Sequence, residues 1–470
     1  MSFKTVIGIE IHSQIATKTK LFSRAENESN AEPNSLVEFV DAGIPGSLPV
    51  PNKKAFELAL KACLALNMDI NEISAFDRKH YFYPDLPLGY QISQFYKPIG
   101  VGGFLECSFG KVNFDRLHIE TDAGKSMHED ATFVDLNRAG VPLMEIVTKP
   151  ELTCAKDAVE FLKELRSVLL MVGASNCDME QGNFRADINI SLHKEGEPLG
   201  TRVEIKNLNS FRFIAKAIEF EQNRQAEVLN NSGTIIQETR LFDPKTGKTK
   251  LLREKEDALD YMYFPDPDLL PIKTTADEIE ETRKNLPKLP SQLRNEWEEL
   301  GVLKEQGFVF SQHPTRAKFF NDLIEKVGKE SAKRASNWVA SELIGLLDQS
   351  LESFIENRPD FLNEFADIIS ASESGDVSRP NAKEVLEQLV SKKISVKSYI
   401  EEKGYADKIS NDLVLDLLKD VIEKSPKEVE KFRKGNEKIL MFFVGSVMKQ
   451  TKGKCDADFV LKSCKEILGS

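Results

Sequence analysis

V-I-G-I-E-I-H-S-Q-I, at residues 6–15, alternates apolar and polar side chains along almost its whole length. This period of two predicts a β-strand with Ile7, Ile9 and Ile11 on one face. The opposite face then carries Glu10 and His12, a carboxylate and an imidazole two residues apart. Two such side chains that point the same way from one strand can contribute to one small site.

Three later segments repeat this alternation, and each places charged side chains on one face of a predicted strand. They read L-H-I-E-T-D (117–122), R-A-D-I-N-I-S-L (185–192) and R-V-E-I-K (202–206). Their polar faces carry, in chain order, His118, Glu120 and Asp122; Arg185, Asp187, Asn189 and Ser191; and Arg202, Glu204 and Lys206. Together, the four strands predict a sheet that has a charged site on one surface.

An antiparallel sheet with one solvated face alternates in the same way without any chemistry on it. The residue types argue against this alternative, because Asp, Glu and His occur here with Arg and Asn on short strands. Carboxylates about 4 Å apart repel by roughly 4 kcal/mol at an effective dielectric constant near 20, so a cluster of them requires a cation or protons. Oxygen ligands with one histidine suit Mg²⁺ or Mn²⁺ better than structural zinc.

The chain has 470 residues, 41% of them hydrophobic, and a formal net charge of −12. Its length predicts two or three domains, and its charge argues against a general nucleic-acid coat. Six cysteines without a C-x-x-C pair indicate free thiols in a reducing compartment. Because the first strand leaves no room for a targeting peptide and no apolar run approaches a membrane span, we expect a cytoplasmic protein with no membrane partner.

The pattern of elements predicts an α+β fold. Helices are expected at residues 53–66, 156–172 and 211–229, with a hairpin around Pro244–Gly247 and an extended segment at residues 263–272. Beyond Pro287 and Pro290, apolar residues recur at helical spacing, and a polar break near Gly404 precedes a last helical piece. We therefore predict a mixed or antiparallel sheet domain over residues 1–290, an all-α domain over 291–404 and a small all-α tail domain over 405–470.

Longer motifs carry a resemblance to a known family. They are G-I-E-I-H-S-Q (8–14), P-G-S-L-P-V-P-N (45–52), F-D-R-K-H-Y-F-Y-P-D-L-P (76–87), D-A-G-K-S (122–126), D-L-N-R-A-G-V-P-L-M-E-I-V (135–147), G-N-F-R-A-D-I-N-I-S (182–191), R-V-E-I-K-N-L-N-S (202–210) and V-M-K-Q-T-K-G-K (447–454). In these motifs, and over essentially its whole length, the chain resembles the B subunits of bacterial-type aspartyl/glutamyl-tRNA amidotransferases. The resemblance implies that residues 1–290 form a catalytic cradle domain.

The resemblance also implies an ATP- and Mg²⁺-dependent ligase that acts in two steps on mischarged Glu-tRNA(Gln) or Asp-tRNA(Asn). ATP phosphorylates the side-chain carboxylate of the attached amino acid, and ammonia then displaces the phosphate to give the amide. The ammonia comes from glutamine hydrolysed by a glutaminase A subunit, and a small C subunit completes a heterotrimer. Because this chemistry brings two anions together, it requires a divalent metal and cationic side chains.

By resemblance, the charged strand residues receive individual catalytic roles. His12, Glu120 and Glu145 would hold one Mg²⁺, and Glu10, Asp187 and Glu204 would form a second metal position, with Mn²⁺ as an alternative ion. The implied contacts to ATP phosphates are Lys125 and Ser126 of the A-G-K-S turn together with Arg185, Arg202 and Lys206; an ordinary turn and surface ion pairs are the alternatives. Glu145 lies among apolar neighbours, and because a buried lone carboxylate is costly, we expect it to be ligated or paired.

R-K-H-Y-F-Y, at residues 78–83, places Lys79, Tyr81 and Tyr83 on one face of a predicted strand. These side chains could line a path for ammonia or form the aromatic edge of a core, and the resemblance favours the path. The segment Phe22–Gly46 contains no cysteine, whereas many relatives carry four there in a zinc-binding pattern. We therefore expect no zinc in this chain.

Lys449, Lys452 and Lys454 lie close together near the end of the chain. Such a group is usually a solvated face, but in the family that this chain resembles, the tail domain contacts the body of the tRNA. Contacts of this kind would be made mainly to phosphate and to RNA shape. We therefore predict that these lysines bind tRNA.

Two other classes of function fit the residues alone. Clustered carboxylates also serve two-metal phosphodiesterases and nucleases, and the chain could instead be a non-catalytic tRNA-binding scaffold. The sequence does not define the ATP pocket, because it has no phosphate loop of the pattern G-x-x-x-x-G-K-T. Residues 242–249 read F-D-P-K-T-G-K-T, with Phe242 in place of the first glycine. It also leaves open whether Gln-tRNA, Asn-tRNA or both are made, and whether a synthetase joins the complex.

Overall fold

The structure is a computed structural model that describes residues 3–128, 130–254, 261–405, 410–433, 435–451, 455 and 457–469. The chain forms two compact units, Met1–Gln292 and Leu293–Ser470. A sheet dominates the first unit and helices build the second, which confirms the predicted α+β class. No helix among the described residues is both long enough and apolar enough to cross a membrane.

The strands are numbered in chain order. They are β1 (Lys4–Gln14), β2 (Asp69–Ile70), β3 (Ile73–His80), β4 (Tyr90–Lys97), β5 (Gly100–Val101), β6 (Phe104–Cys107), β7 (Gly110–Thr121), β8 (Lys125–His128), β9 (Thr132–Asp135), β10 (Pro142–Thr148), β11 (Phe184–His193), β12 (Val203–Leu208), β13 (Glu238–Asp243), β14 (Lys248–Glu254), β15 (Tyr263–Pro265) and β16 (Ile272–Lys273).

The α-helices are numbered in the same way. They are α1 (Lys53–Ala65), α2 (Ala155–Met171), α3 (Phe211–Asn230), α4 (Ala276–Lys284), α5 (Pro290–Glu299), α6 (Lys304–Ser311), α7 (Pro314–Val327), α8 (Ala332–Asn337), α9 (Ile344–Leu346), α10 (Leu351–Asn357), α11 (Phe361–Glu373), α12 (Arg379–Ser391), α13 (Val396–Lys403), α14 (Asn411–Lys424), α15 (Pro426–Arg433), α16 (Leu440–Gln450) and α17 (Ala457–Gly469). A π-helical segment, Trp338–Leu343, joins α8 to α9.

The main sheet places β1 at its centre. Its described strands follow the order β14-β13-β12-β11-β1-β10-β7-β5-β2, and β6 also pairs with β7. Neighbouring strands are antiparallel except for β12 and β13, which run parallel, so the predicted mixed sheet is confirmed. The predicted hairpin around Pro244–Gly247 is formed by β13 and β14.

Helices cover one face of this sheet and leave the other face for polar side chains. Ile7, Ile9 and Ile11 of β1 are completely or almost completely buried in the same apolar core as Phe161 of α2 and Ile218 of α3. These helices begin and end within one residue of their predicted bounds. Because β1 alternates, burial of its isoleucines turns Glu10 and His12 to the opposite face.

Among the described residues of the second unit, helices build several apolar contacts, which include two groups of packed side chains. In one, the rings of Trp297, Phe310 and Phe320 pack with centroids 4.4–6.4 Å apart. In the other, α14, α16 and α17 surround Phe443 and Cys464, which are completely buried. The boundary that the sequence predicts at residue 404 stays a prediction.

A buried ion pair fastens the cysteine-free segment Phe22–Gly46 to the sheet unit. The Nζ atom of Lys20, a residue with no exposed surface, donates to Asp41 Oδ2 at 3.2 Å and to the Leu136 carbonyl at 3.3 Å. The same carboxylate oxygen accepts from Ser23 Oγ at 2.9 Å and from the Glu38 amide at 3.0 Å. Burial lowers the pKa of Lys20, and the charge of Asp41 opposes this shift.

Loss of this carboxylate should destabilise the sheet unit. Asp41→Ala leaves the Lys20 ammonium buried without a counter-charge, a change that lowers the free energy of unfolding by about 3–5 kcal/mol. Glu195→Ala is the matched control, because it removes the exposed Lys4–Glu195 pair and should leave the free energy of unfolding nearly unchanged. Urea denaturation followed by circular dichroism measures both, and equal effects of the two substitutions would contradict this account of the segment.

Candidate metal and phosphate site

Strand register brings the charged residues of four strands into one row. His12 on β1 lies opposite Glu145 on β10 and opposite Arg185 on β11, and Glu145 lies opposite His118 on β7. Glu120 lies two residues beyond His118 and therefore on the same face. The sheet thus assembles a site from segments that are far apart in the chain.

His12, Glu120 and Glu145 form a compact group of metal-ligating atoms. One ligand atom from each of the three lies within 4.8 Å of the other two. His12 Nε2 is 3.6 Å from Glu120 Oε1 and 3.5 Å from Glu145 Oε2. Among the residues that the structure describes, this is the one group of three or more His, Cys, Asp or Glu side chains with ligand atoms so close together.

His118 contacts both carboxylates of this group, and the sequence-based assignment of site residues omitted it. Its Nε2 atom lies 3.4 Å from Glu120 Oε2 and 3.4 Å from Glu145 Oε2, and the residue is only 4% exposed. The alternation of L-H-I-E-T-D placed His118 on the correct face. Its contact with Glu145 depends on the pairing of β7 with β10, which alternation alone does not reveal.

The two histidines and two carboxylates determine one another's charge. Burial lowers the pKa of His12, but the hydrogen bond to Glu145 and the charges of Glu145 and Glu120 outweigh it and raise that pKa to about 9. Burial likewise opposes ionisation of His118, whose pKa the same two carboxylates raise to about 9. Burial would raise the pKa of Glu145, yet the positive charges of His118 and His12 hold it well below its usual range.

The second predicted set, Glu10, Asp187 and Glu204, is arranged differently. The Nζ atom of Lys206 lies 2.7 Å from Asp187 Oδ2 and 3.2 Å from Glu204 Oε1. Glu10 lies opposite Asp187 on the neighbouring strand and accepts from Asn189 Nδ2 at 2.9 Å. Burial raises the pKa of Glu10, and the charges of Glu145, Glu204 and Asp187 add to this effect.

A cleft of about 1110 Å³ lies over this face of the sheet. Its lining includes His12, Glu120, Glu145, Asp187 and Lys206, so the two groups of charged side chains share one open space. A pocket of this size can hold a nucleotide together with a second substrate group.

The predicted phosphate contacts divide into two groups. Ser126 and Arg185 line the cleft with Lys206, whereas Lys125 and Arg202 are exposed residues outside its lining. Arg185 Nη2 donates to Asp122 Oδ2 at 2.9 Å, and this bond holds the guanidinium beside the A-G-K-S turn.

Arg138 also contacts this segment. Its Nε and Nη2 atoms donate to the carbonyl oxygens of Ala123 and Gly124 at 2.9 and 2.6 Å. The sequence reasoning did not select Arg138, although it lies inside the quoted motif D-L-N-R-A-G-V-P-L-M-E-I-V. Nothing in that motif indicates which carbonyl groups the guanidinium contacts.

The three residues predicted to line an ammonia path have different positions. Lys79 and Tyr81 line the cleft, and Lys79 Nζ lies 4.8 Å from the centroid of the Tyr261 ring. Tyr83 is 58% exposed and lies outside the cleft lining. The prediction of one continuous strand face was wrong, because β3 ends at His80 and the tyrosines follow in irregular chain.

Of the lysines predicted to bind tRNA, Lys449 is exposed in the last turn of α16. Lys452 and Lys454 lie outside the described residues.

Neutralisation of one carboxylate should weaken metal binding. In the full chain, Glu145→Gln should raise the dissociation constant for Mn²⁺ by about 10- to 100-fold or more, since removal of even an outer-shell partner costs that much. Electron paramagnetic resonance of free Mn²⁺ measures the affinity. Glu106→Gln, at an exposed site on β6, is the control and should bind Mn²⁺ with the affinity of the unaltered chain. Equal affinity of the two variants would show that Glu145 is not a metal ligand.

Comparison with known proteins places the chain in a family. A family model described as the GatB/GatE catalytic domain matches residues 5–280, and one described as the GatB domain matches residues 318–468. The chain is also similar to proteins named as the B subunit of aspartyl/glutamyl-tRNA(Asn/Gln) amidotransferase. The protein of Persephonella marina is 46% identical over 476 residues, with 100% of each chain covered.

Relatives from a second genus carry the same name. The proteins of Rickettsia canadensis and Rickettsia rickettsii (strain Iowa) are 44% and 45% identical, each over 99% of this chain and 97% of the relative. The resemblance predicted from the motifs is therefore confirmed, and this chain belongs to the family of aspartyl/glutamyl-tRNA(Asn/Gln) amidotransferase B subunits.

Proposed function

We propose that this chain is the transamidating subunit of a cytoplasmic tRNA-dependent amidotransferase. Its family makes it a component of a carbon–nitrogen ligase that acts in translation. In the proposed reaction, ATP phosphorylates the side-chain carboxylate of Glu on tRNA(Gln), or of Asp on tRNA(Asn). Ammonia from a glutaminase A subunit then displaces the phosphate and leaves the amide, within a heterotrimer completed by a small C subunit.

The observation that carries this proposal is the convergence of His12, Glu120 and Glu145 in the floor of the cleft. A carboxylate that attacks the γ-phosphate of ATP brings two anions together, and their repulsion must be neutralised. A site that combines a cation position with nearby arginine and lysine side chains supplies this neutralisation. The same cleft is large enough for both anions.

The three residues fit a Mg²⁺ ion, because they offer one imidazole nitrogen and two carboxylate oxygens and leave other coordination positions to water and phosphate. Mn²⁺ accepts the same donors. When bound, the ion would supply positive charge to the phosphate oxygens. Contacts of His118 with Glu120 and Glu145 would keep both carboxylates in place.

Cationic side chains of the chain would hold the phosphates of ATP. Arg185 faces the cleft with one bond to Asp122, which leaves its other N–H groups for phosphate oxygens. Ser126 lines the cleft from strand β8 and can donate its hydroxyl. Lys125 and Arg202 are proposed for the outer phosphate contacts, where solvent reaches them.

Lys79 and Tyr81 are proposed to guide ammonia toward the activated carboxyl carbon. Both face the cleft near Glu120 and Glu145. Burial opposes the charged form of Lys79, but Glu120, Tyr263, Glu145 and Tyr261 together outweigh it and raise the pKa of this lysine. The resulting ammonium repels NH₄⁺ and lets neutral NH₃ pass, the form that can attack a carbonyl group. Tyr83 is proposed for the outer part of the path.

The reaction should require ATP and a divalent ion in the assembled heterotrimer. Glu-tRNA(Gln) or Asp-tRNA(Asn) should be converted to the amide with glutamine or with ammonium chloride as nitrogen donor. Glu120→Gln should reduce both rates by about 100-fold or more, because it removes a charge that stabilises the transition state. Acid-gel separation of the aminoacyl products measures the rates. Tyr405→Phe, far along the chain in the second unit, is the control and should retain full rate.

The alternatives give different outcomes in the same assay. A two-metal nuclease would degrade the tRNA with Mg²⁺ alone and would not consume ATP. A tRNA-binding scaffold would retain the full transamidation rate after Glu120→Gln. Either result would contradict the proposed function and support the corresponding alternative.

The lysines near the end of the chain should contribute to tRNA affinity through phosphate contacts. Substitution of Lys449, Lys452 and Lys454 by Ala should weaken tRNA binding and reduce the slope of log affinity against log salt by about one for each phosphate that is no longer neutralised. Lys326, Lys329 and Lys333, exposed lysines of the same unit, provide a control with equal charge change. Filter binding at several salt concentrations compares the two triple variants, and identical slopes would refute the assignment.

A further inference from the structure

The resemblance assigns three carboxylates, those of Glu10, Asp187 and Glu204, to a second metal ion. The ammonium group of Lys206 contacts two of them. Its Nζ atom donates to Asp187 Oδ2 at 2.7 Å and lies 3.2 Å from Glu204 Oε1. Lys206 and Glu204 project from the same strand, β12, and Asp187 projects from the neighbouring strand β11. The position of this ammonium group is therefore determined by two strands at the interior of the sheet.

Other donors contact two further oxygens of these three carboxylates. Thr239 Oγ1 donates to Glu204 Oε2 at 2.8 Å, and Asn189 Nδ2 donates to Glu10 Oε1 at 2.9 Å. Thr239 is fully buried and lies opposite Glu204 on the paired strand β13. Asp187 and Glu204 thus each place an oxygen on Lys206, whereas Glu10 places one on Asn189.

Electrostatics favour one cation in this space and not two. An ammonium group between two carboxylates makes charge-assisted hydrogen bonds, which are about twice as strong as neutral ones. A divalent ion that entered the same space would have to displace the ammonium group or lie beside it, and two cations about 4 Å apart repel by several kcal/mol at an effective dielectric constant near 20.

The residues present therefore do not fit a second divalent ion. We infer that Lys206 is the permanent cation of the Glu10, Asp187 and Glu204 group, so that the chain without nucleotide binds one divalent ion, at His12, Glu120 and Glu145, and not two. The inference rests on the proposed function in one respect, which is that the His12 group binds the first ion.

A permanent cation differs from a second metal ion in what it does for the site. The ammonium group cancels one negative charge at every Mg²⁺ concentration, and it needs no ligand exchange when substrates bind. It also keeps Asp187 and Glu204 in place, and Asp187 lies two residues from Arg185 on the same strand. The Mg²⁺ dependence of the site should accordingly reflect one protein-bound ion.

Counting of bound Mn²⁺ ions tests the inference. The full chain without nucleotide is titrated with Mn²⁺, and free Mn²⁺ is measured by electron paramagnetic resonance. The unaltered chain should bind one ion. Lys206→Met should bind two, because it leaves three carboxylates without a counter-charge, and Lys206→Arg should bind one because it retains the positive charge. Lys111→Met, at an exposed lysine on β7, is the control and should bind one.

If Lys206→Met is unstable, the unfolding temperature, measured in EDTA and with Mn²⁺, provides a second test of ion binding. That variant should unfold at a lower temperature than the unaltered chain in EDTA and should regain part of the difference when Mn²⁺ is added. The unaltered chain should show a smaller shift with Mn²⁺, since it gains only one ion.

The outcomes separate this inference from the proposed function. Two ions bound to the unaltered chain, or no additional ion in a folded Lys206→Met variant, would overturn the role of Lys206 alone. No bound ion in the unaltered chain would overturn the metal site of the proposed function and this inference with it.

Discussion

Mutual repulsion of carboxylates is the constraint on which this site depends. Glu120 and Glu145 approach His12 and His118 within 3.4–3.6 Å, and Asp187 and Glu204 approach Lys206 within 2.7–3.2 Å. Each carboxylate pair is therefore contacted by a group that can carry positive charge, which lowers the cost of collecting negative charge on one surface. The cation position and the arginine side chains are already in place before a negatively charged substrate binds, so they can stabilise its charge without rearrangement.

The architecture of the sheet unit follows from this requirement. Helices α2 and α3 bury the apolar face of the central strands, so the polar face can be devoted to the site. Antiparallel pairing of β11, β1, β10 and β7 then places Arg185, His12, Glu145 and His118 side by side without any loop to position them. Side chains on paired strands are held more rigidly than side chains on loops, which suits a site that must keep charges at fixed distances.

Much of this fold could be predicted from alternation and helical spacing, because those patterns record which side of an element is buried. They predicted β1, the helices α1 to α3 and the hairpin of β13 and β14. They could not predict that His118 lies between Glu120 and Glu145, or that Lys206 lies between Asp187 and Glu204, because both contacts depend on register and rotamer. The prediction for Tyr81 and Tyr83 was wrong for a local reason: the strand ends at His80, before Pro84, and alternation no longer applies.

The central claim is that this site transfers a phosphoryl group to the side-chain carboxylate of an aminoacyl-tRNA. The most direct test uses Glu-tRNA(Gln) whose side-chain carboxylate carries ¹⁸O, in the assembled complex with ATP, Mg²⁺ and ammonium chloride. If the carboxylate oxygen attacks the γ-phosphorus and leaves with the phosphate, one ¹⁸O atom should appear in inorganic phosphate for each amide formed, as mass spectrometry would detect. Amide formation with only unlabelled phosphate would contradict the account.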